Sequence, residues 1–422
     1  MQLPEDFVRL MHEQYGDDTA DMLCRALVET EPEVSIRLNP RKGMPLIINN
    51  NVRAEAVPWC PDAYYLSERP AFTFDPLLHA GAYYVQEASS MYIANLIDRF
   101  VIQNSKIKIQ KSSVNANNSP SLTGGSGRAC PISALDLCAA PGGKSTLLAG
   151  LLPEGSVLIS NEPLPKRAQV LSENMQKWTR VAEGEYPVRC IVTKNYPADF
   201  AAFTDCFDLL VADVPCSGEG MFRKDEVAVQ EWSLQNVEHC WQRQREIMQD
   251  IWHVLKPGGL LIYSTCTFNH YEDEDNARWI CDALGAELLE ERHFLPGRDR
   301  GEGFYCAAIR KESLSQPLSK RGNEAASLEN LLPSLGGAGG GCLSPAFVVD
   351  PNVPRVELNY YEALQYLRRE AIRVPAPRGM VLLCYKGYVL GPGKCVGNRI
   401  NNLYPEQWRI RTTYTTPFTL AD

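Results

Sequence analysis

The order of apolar runs between residues 133 and 311 constrains this chain more than any other feature. "SALDLCAAPGGKSTLLAGLL" is a short apolar run, a glycine-rich turn and then a helical pattern. "VLISNEPLPKRAQVLSENMQKW" repeats the scheme, with Glu162 just past its apolar run. "CIVTKNY" and "FDLLVADVPC" follow as further apolar runs. "VEHCWQRQREIMQDIWHVL" has apolar residues at helical spacing, and "KPGG" reads as its stop before the strand "LLIYSTC". This alternation predicts an α/β fold, a mostly parallel doubly wound sheet with helices on both faces. Such sheets bind ligands beyond the carboxyl ends of their strands. Those ends carry the glycine turn, Glu162, Asp213, Cys216 and Cys266.

A chain of 422 residues exceeds one ordinary domain, and its composition breaks twice. Residues 103–130 are rich in Ser, Asn and Gly, and residues 311–343 include "SKRGNEAAS" and "GGAGGGC". Both have too few apolar residues for a core and read as flexible. The expected division is an N-terminal RNA-binding extension (1–75), a catalytic domain (76–311) with an insertion at about 103–130, a linker (312–343) and a C-terminal module (344–422). The last contains "RGMVLLCYKGYVLGPGKCVGNRINNLYPEQWRIR", whose short apolar runs, split by Gly and Asn, predict a small β-rich unit.

The net charge of −9 argues against broad polyanion binding and leaves room for a local basic groove. Fourteen cysteines are scattered without a CxxC pair or a Cys/His cluster, so neither a disulfide framework nor a metal site is expected. The N-terminus lacks a basic region followed by an apolar core, and no apolar run reaches membrane-spanning length. A reduced, cytoplasmic monomer without membrane contact is the expectation.

"GGKST" looks like the tail of a phosphate-binding P-loop, but that motif needs glycine where this chain has Cys138. Glycines at a strand–helix turn still let a ligand approach the backbone, and Glu162 could accept from both hydroxyls of a ribose. The turn suits a nucleoside-bearing ligand with no obligatory phosphate, such as S-adenosylmethionine. Glycines serving helix–sheet packing alone would look the same.

Cys138, Cys190, Cys240 and Cys281 fall in core-like patterns, as cysteine usually does. Cys216 and Cys266 instead follow the apolar part of their strands, beside small polar residues. If residues 207–213 and 259–264 are neighbouring strands, about 4.8 Å apart, both thiols reach one base. A thiolate added to carbon 6 of cytosine makes carbon 5 nucleophilic enough to accept a methyl group. Asp213 could protonate or hydrogen-bond the cytosine edge.

These stretches resemble the Nol/Nop/Sun family of RNA cytosine-5 methyltransferases. The resemblance runs in order through "SIRLNP", "GAYYVQEASSM", "DLCAAPGGKS", "NEPLPKR", "DVPCSGEGMFRKD", "LKPGGLLIYSTCTF" and "GEGFYCAAIRK". It implies a Rossmann-like S-adenosylmethionine-dependent methyltransferase fold. The cofactor would lie over Cys138, Ala139, Ala140, Pro141, Gly142, Gly143 and Lys144, with its ribose on Glu162. Asp213 would serve both cofactor and cytosine. The family assigns the nucleophile to Cys266 and product release to Cys216. Where the family usually has an aspartate at the adenine, this chain has Asn195, whose amide oxygen accepts the same hydrogen bond; Asp199 is a weaker substitute.

The tail resembles the PUA-like module of the family's small-subunit ribosomal RNA branch. Lys386, Lys394, Arg399, Arg409 and Arg411 could line an RNA groove with Tyr388, Tyr404 and Trp408, or form a solvated face. Arg37, Arg223 and Lys224 are further candidate RNA contacts, the last two placed to hold phosphates near a flipped base. Three functions stay open: cytosine-5 methylation of small-subunit ribosomal RNA, the same reaction on transfer RNA, and RNA binding without catalysis. Retention of both cysteines, Asp213 and the cofactor turn argues against the third.

Overall fold

The computed structural model describes residues 2–44, 52–103, 130–181, 184–313, 331, 350 and 352–412. Residues 104–129 of the expected insertion, and all but 312, 313 and 331 of the expected linker, lie outside the described residues.

Two amphipathic helices open the chain, α1 (Glu5–Tyr15) and α2 (Asp17–Glu29). An antiparallel sheet follows, built from β1 (Val34–Leu38), β2 (Ala54–Ala56), β3 (Ala63–Leu66) and β4 (Tyr83–Val85) in the order β2-β3-β1-β4. This unit extends beyond the boundary expected at 75, because β1 pairs with β4 through Ile36 and Val85.

The central sheet has seven strands: β5 (Ser133–Asp136), β6 (Val157–Asn161), β7 (Arg189–Thr193), β8 (Phe207–Asp213), β9 (Leu255–Thr265), β10 (Ala286–Phe294) and β11 (Phe304–Lys311). Their order is β10-β11-β9-β8-β5-β6-β7. The run from β7 to β9 is parallel, and β11 is antiparallel to both its neighbours. The continuous apolar runs reflect burial on both faces. Leu209 and Val211 join the core on one side of β8, while Leu210 and Ala212 join the core on the other.

The linking helices are α3 (Gly143–Leu151), α4 (Pro165–Thr179), α5 (Leu234–Ile251) and α6 (Glu274–Leu284). Proline stands at the start of α4, and the Ser233 side chain accepts from Asn236 N at the start of α5. "KPGG" does not end α5 as expected. The helix stops at Ile251, and Lys256–Gly259 sit inside β9, where the pairing with β8 shifts register between Phe207 and Leu209. Gly258 takes a positive φ of 77° within that irregularity.

The C-terminal module is a four-stranded sheet, β12 (Arg355–Glu357), β13 (Gly379–Tyr385), β14 (Tyr388–Cys395) and β15 (Ile400–Asn402), with one helix, α7 (Tyr360–Leu367). It shares a core with the N-terminal sheet: Leu364, Tyr366, Tyr404 and Trp408 cluster with Ile36, Leu77 and Tyr83. Tyr404 and Trp408 are 1% and 7% exposed. They are therefore no stacking platform for bases: Tyr404 packs against Tyr366 and Trp408, and Lys177 of α4 and Arg180 lie over the Trp408 ring.

Candidate active site

Strands β8 and β9 are parallel neighbours with Asp213 opposite Ser264. Ser264 Oγ donates to Asp213 Oδ1 at 2.8 Å, and Lys144 Nζ lies 2.9 Å from Asp213 Oδ2. Burial works against the charge on Lys144, but the Asp213 carboxylate outweighs it and holds the ammonium above its ordinary range. Lys144 thus comes from the glycine turn to the carboxylate at the next strand end.

Just beyond these strand ends, the Sγ atoms of Cys216 and Cys266 are 3.2 Å apart. The hydrogen bond to Cys266, reinforced by burial, pushes the Cys216 thiol well above the usual range. Gly220 N donates to Cys266 O at 2.8 Å, tying the two cysteine loops together. Gly303, at φ 108°, lies against the second loop; a Cβ there would fall 2.0 Å from the Phe268 ring.

A cavity of about 330 Å³ opens over this centre. Cys266, Asp213, Lys144 and the turn residues Cys138, Ala139, Ala140, Pro141 and Gly143 line it. Gly142 stands behind them in the left-handed region, φ 115°, and caps the start of α3. Across the cavity stand Tyr84, Gln86, Lys224, Glu302 and Phe304. Of these only Lys224 was singled out from the sequence, although the family stretches at 81–91 and 301–311 contain the others. A larger cavity, about 520 Å³, opens between Arg41, Arg180 and Lys386, and no strand-end residue of this centre lines it.

Glu162 and Asn195 do not line the 330 Å³ cavity. Glu162 is 2% exposed; its Oε1 accepts from Leu164 N at 3.1 Å and its Oε2 lies 3.5 Å from Arg167 Nη1. Arg167 also donates to Ala140 O at 3.1 Å, so it spans the glycine turn and the carboxylate. Asn195 is anchored to β6 through its N–H, which donates to Asn161 Oδ1 at 2.9 Å. Its own Oδ1 is buried without a hydrogen-bond partner. A buried acceptor left open beside a ribose-type carboxylate fits a nucleoside ligand carrying an exocyclic amine. Asp199 is instead exposed and accepts from Tyr196 N at 2.8 Å.

The expected RNA contacts separate. Arg37 is 3% exposed and stacks on Trp178. It donates to Gln86 Oε1 at 3.1 Å and to Thr146 Oγ1 at 2.7 Å, so it rivets β1 to α3 and cannot reach RNA. Arg223 donates to Thr30 Oγ1 at 3.1 Å and to Gly301 O, tethering the segment after Cys216 to the end of α2. Lys224 pairs with Glu302 at the cavity rim. Lys394 is exposed on β14 and takes no part in the cavity.

Among the described residues, one group has the reach of a metal site: Asp273, Glu274 and His293. Burial opposes charge on His293, but its bonds to Asp273 and Glu274 outweigh it and raise it to about 10. Its ring lies between two carboxyl groups, 3.1 Å from Asp273 and 3.2 Å from Glu274. Among the described residues no helix is long and apolar enough to cross a membrane.

The strand order, the glycine turn after the first parallel strand and the acidic residue after the second define an S-adenosylmethionine-dependent methyltransferase fold of Rossmann type. The model of the 16S rRNA methyltransferase RsmB/F family matches residues 132–310. The N-terminal domain of 16S rRNA methyltransferase RsmF matches residues 3–88, and the RsmF PUA domain matches residues 353–410. The chain is similar to ribosomal RNA small subunit methyltransferase F of Pectobacterium atrosepticum, at 30% identity over 64% of this chain and 53% of the relative. The Cronobacter sakazakii protein of the same name is 28% identical over 75% of this chain and 65% of the relative. The chain therefore spans a little over half to two thirds of these relatives. A crystal structure of a methyltransferase homolog from Pyrococcus horikoshii shares the fold, with a TM-score of 0.55 and 22% identity over 73% of this chain and 95% of that one.

Proposed function

We propose that this chain forms 5-methylcytosine in small-subunit ribosomal RNA, with S-adenosylmethionine as methyl donor. The 3.2 Å approach of Cys216 to Cys266, beside Asp213 and Lys144, carries the reading. The family match and the PUA-like module support RNA as the substrate.

Bound S-adenosylmethionine supplies an electrophilic methyl group. Residues 138–144 would hold it from below, with Glu162 at the ribose and Asn195 Oδ1 at the adenine amine. The target cytosine leaves its stack to enter the cavity. Cys266 adds as thiolate to carbon 6, and the electron pair of the 5,6 double bond moves toward carbon 5. The Lys144 ammonium, held in place by Asp213, would lie at the pyrimidine edge and stabilise the negative charge that develops on the ring. After carbon 5 takes the methyl group, its proton must leave and the carbon 6–sulfur bond must break, returning the pair to Cys266. Before the reaction, Cys216 is held protonated chiefly by its bond to Cys266. Once Cys266 is bonded to carbon, that restraint is gone; Cys216 then gives its proton to solvent and, as thiolate, takes the carbon 5 proton while the carbon 6–sulfur bond breaks.

Incubation of the purified protein with small ribosomal subunits and methyl-labelled S-adenosylmethionine tests this. Label at carbon 5 of a cytosine, located by bisulfite sequencing, is the expected result. Label on another atom, or none, sinks it.

A further inference from the structure

Next to the two cysteines lie two fully buried carboxyl groups, Glu219 and Glu272, that have no cationic partner among the described residues. Each belongs to one cysteine loop and bonds the other. Glu219 follows Cys216; its Oε2 accepts from Thr267 Oγ1 at 2.9 Å and from Phe268 N at 2.6 Å, the two residues after Cys266. Glu272 follows Cys266; its Oε2 accepts from Ser217 N at 3.0 Å, the residue after Cys216. Asn269 closes the exchange, its Nδ2 donating to Glu219 Oε1 at 2.9 Å and to Glu272 Oε1 at 2.8 Å.

We infer that Glu219 and Glu272 are positioning residues that clasp the two cysteine loops and set the separation of the two thiols. The inference rests on the proposed two-cysteine chemistry, but its physical content is the clasp itself. Every group that meets these carboxyl oxygens is a donor. Water is excluded, so each loop can relax only by leaving a buried donor or acceptor unmet. The loops follow different strands, β8 and β9; the Gly220 N to Cys266 O bond ties their backbones at one point, and the two carboxyl groups add side-chain bonds beside each cysteine.

The thiols supply their own ruler. Diamide oxidises a close thiol pair to a disulfide, taking up both electrons and both protons as its azo bond becomes a hydrazine. The rate of the Cys216–Cys266 linkage, followed by peptide mass spectrometry, reports their approach without RNA or S-adenosylmethionine. Glu272→Gln sets an NH₂ donor against donors. Thr267→Val removes one bond to Glu219 at nearly constant shape. In both full-length variants the linkage is expected to slow at least ~10-fold, with alkylation of Cys24 on α2 unchanged. If Glu272→Gln fails to fold, Thr267→Val carries the test alone. An unchanged linkage rate in a folded variant overturns the clasp whatever the enzyme methylates. A clasp that passes while small subunits stay unlabelled overturns the proposed function instead.

Discussion

Cys216 and Cys266 stand fifty residues apart in the chain and 3.2 Å apart at sulfur. Parallel pairing of β8 with β9 brings both loops to one end of the sheet. The contact leaves the two thiols unequal. Cys266 lines the cavity, whereas Cys216 sits behind it with its thiol held protonated. On the proposed chemistry, attack and release fall to different sulfurs, and that division gives it its test.

Cofactor binding is expected without RNA. Glu162→Ala removes the buried acceptor beside the glycine turn, and a bound ribose then loses its partner at a cost of ~1–3 kcal/mol. Titration calorimetry should show one site for S-adenosylmethionine, weakened ~5- to 100-fold in the variant. Equal affinity would remove Glu162 from the site.

Asp136, at the end of β5, is buried beneath the same turn. Burial, opposed by the hydrogen bond from Ser145, raises its carboxyl to about 7, against ~3.9 in an unfolded chain. A carboxyl raised on folding contributes stability that is complete below about pH 4 and is lost as pH rises through 7. Thermal unfolding of the wild type and Asp136→Asn across pH 4–8 should show the wild type losing ground to the variant as pH rises. A gap independent of pH would contradict the shift.

Much of this was legible because the relevant patterns are local. Full burial of β5, β6 and β8 makes their apolar runs continuous, and the small polar residues after each run mark the ligand edge. Asp213, Cys216 and Cys266 could thus be placed as strand-end groups before any geometry was known. What failed depends on distant contacts. Arg37 has the look of a surface base, yet its partners lie on α3 and α4. Tyr404 and Trp408 have the composition of a base-stacking patch, yet Tyr404 packs on Tyr366 and Trp408 lies under Lys177 and Arg180. The donors to Glu219 and Glu272 come from both loops and, through Trp232 and Gln244, from beyond them, so the clasp has no contiguous signature.

Arg37→Ala should act on stability rather than on RNA affinity. It strips hydrogen bonds from Gln86 and Thr146 in a buried layer, at an expected ~2–4 kcal/mol by urea denaturation. A variant of wild-type stability with weakened RNA binding would restore the role expected from the sequence.

Trp408→Ala should likewise loosen the packing of the C-terminal module against Lys177 and Arg180, by ~3–5 kcal/mol. Denaturant unfolding checks this. A change confined to RNA affinity would mean the ring stacks on bases after all.

The division of labour between the cysteines is tested most directly on a denaturing gel, with labelled RNA and S-adenosylmethionine. Cys266→Ala cannot add to carbon 6, so it should give neither 5-methylcytosine nor a covalent complex. Cys216→Ala keeps the nucleophile and loses the release step, so it should accumulate a denaturant-resistant protein–RNA band that the double variant lacks. Accumulation of that band by Cys266→Ala, with none from Cys216→Ala, would reverse the two roles; full turnover by both single variants would leave the 3.2 Å contact a feature of packing alone.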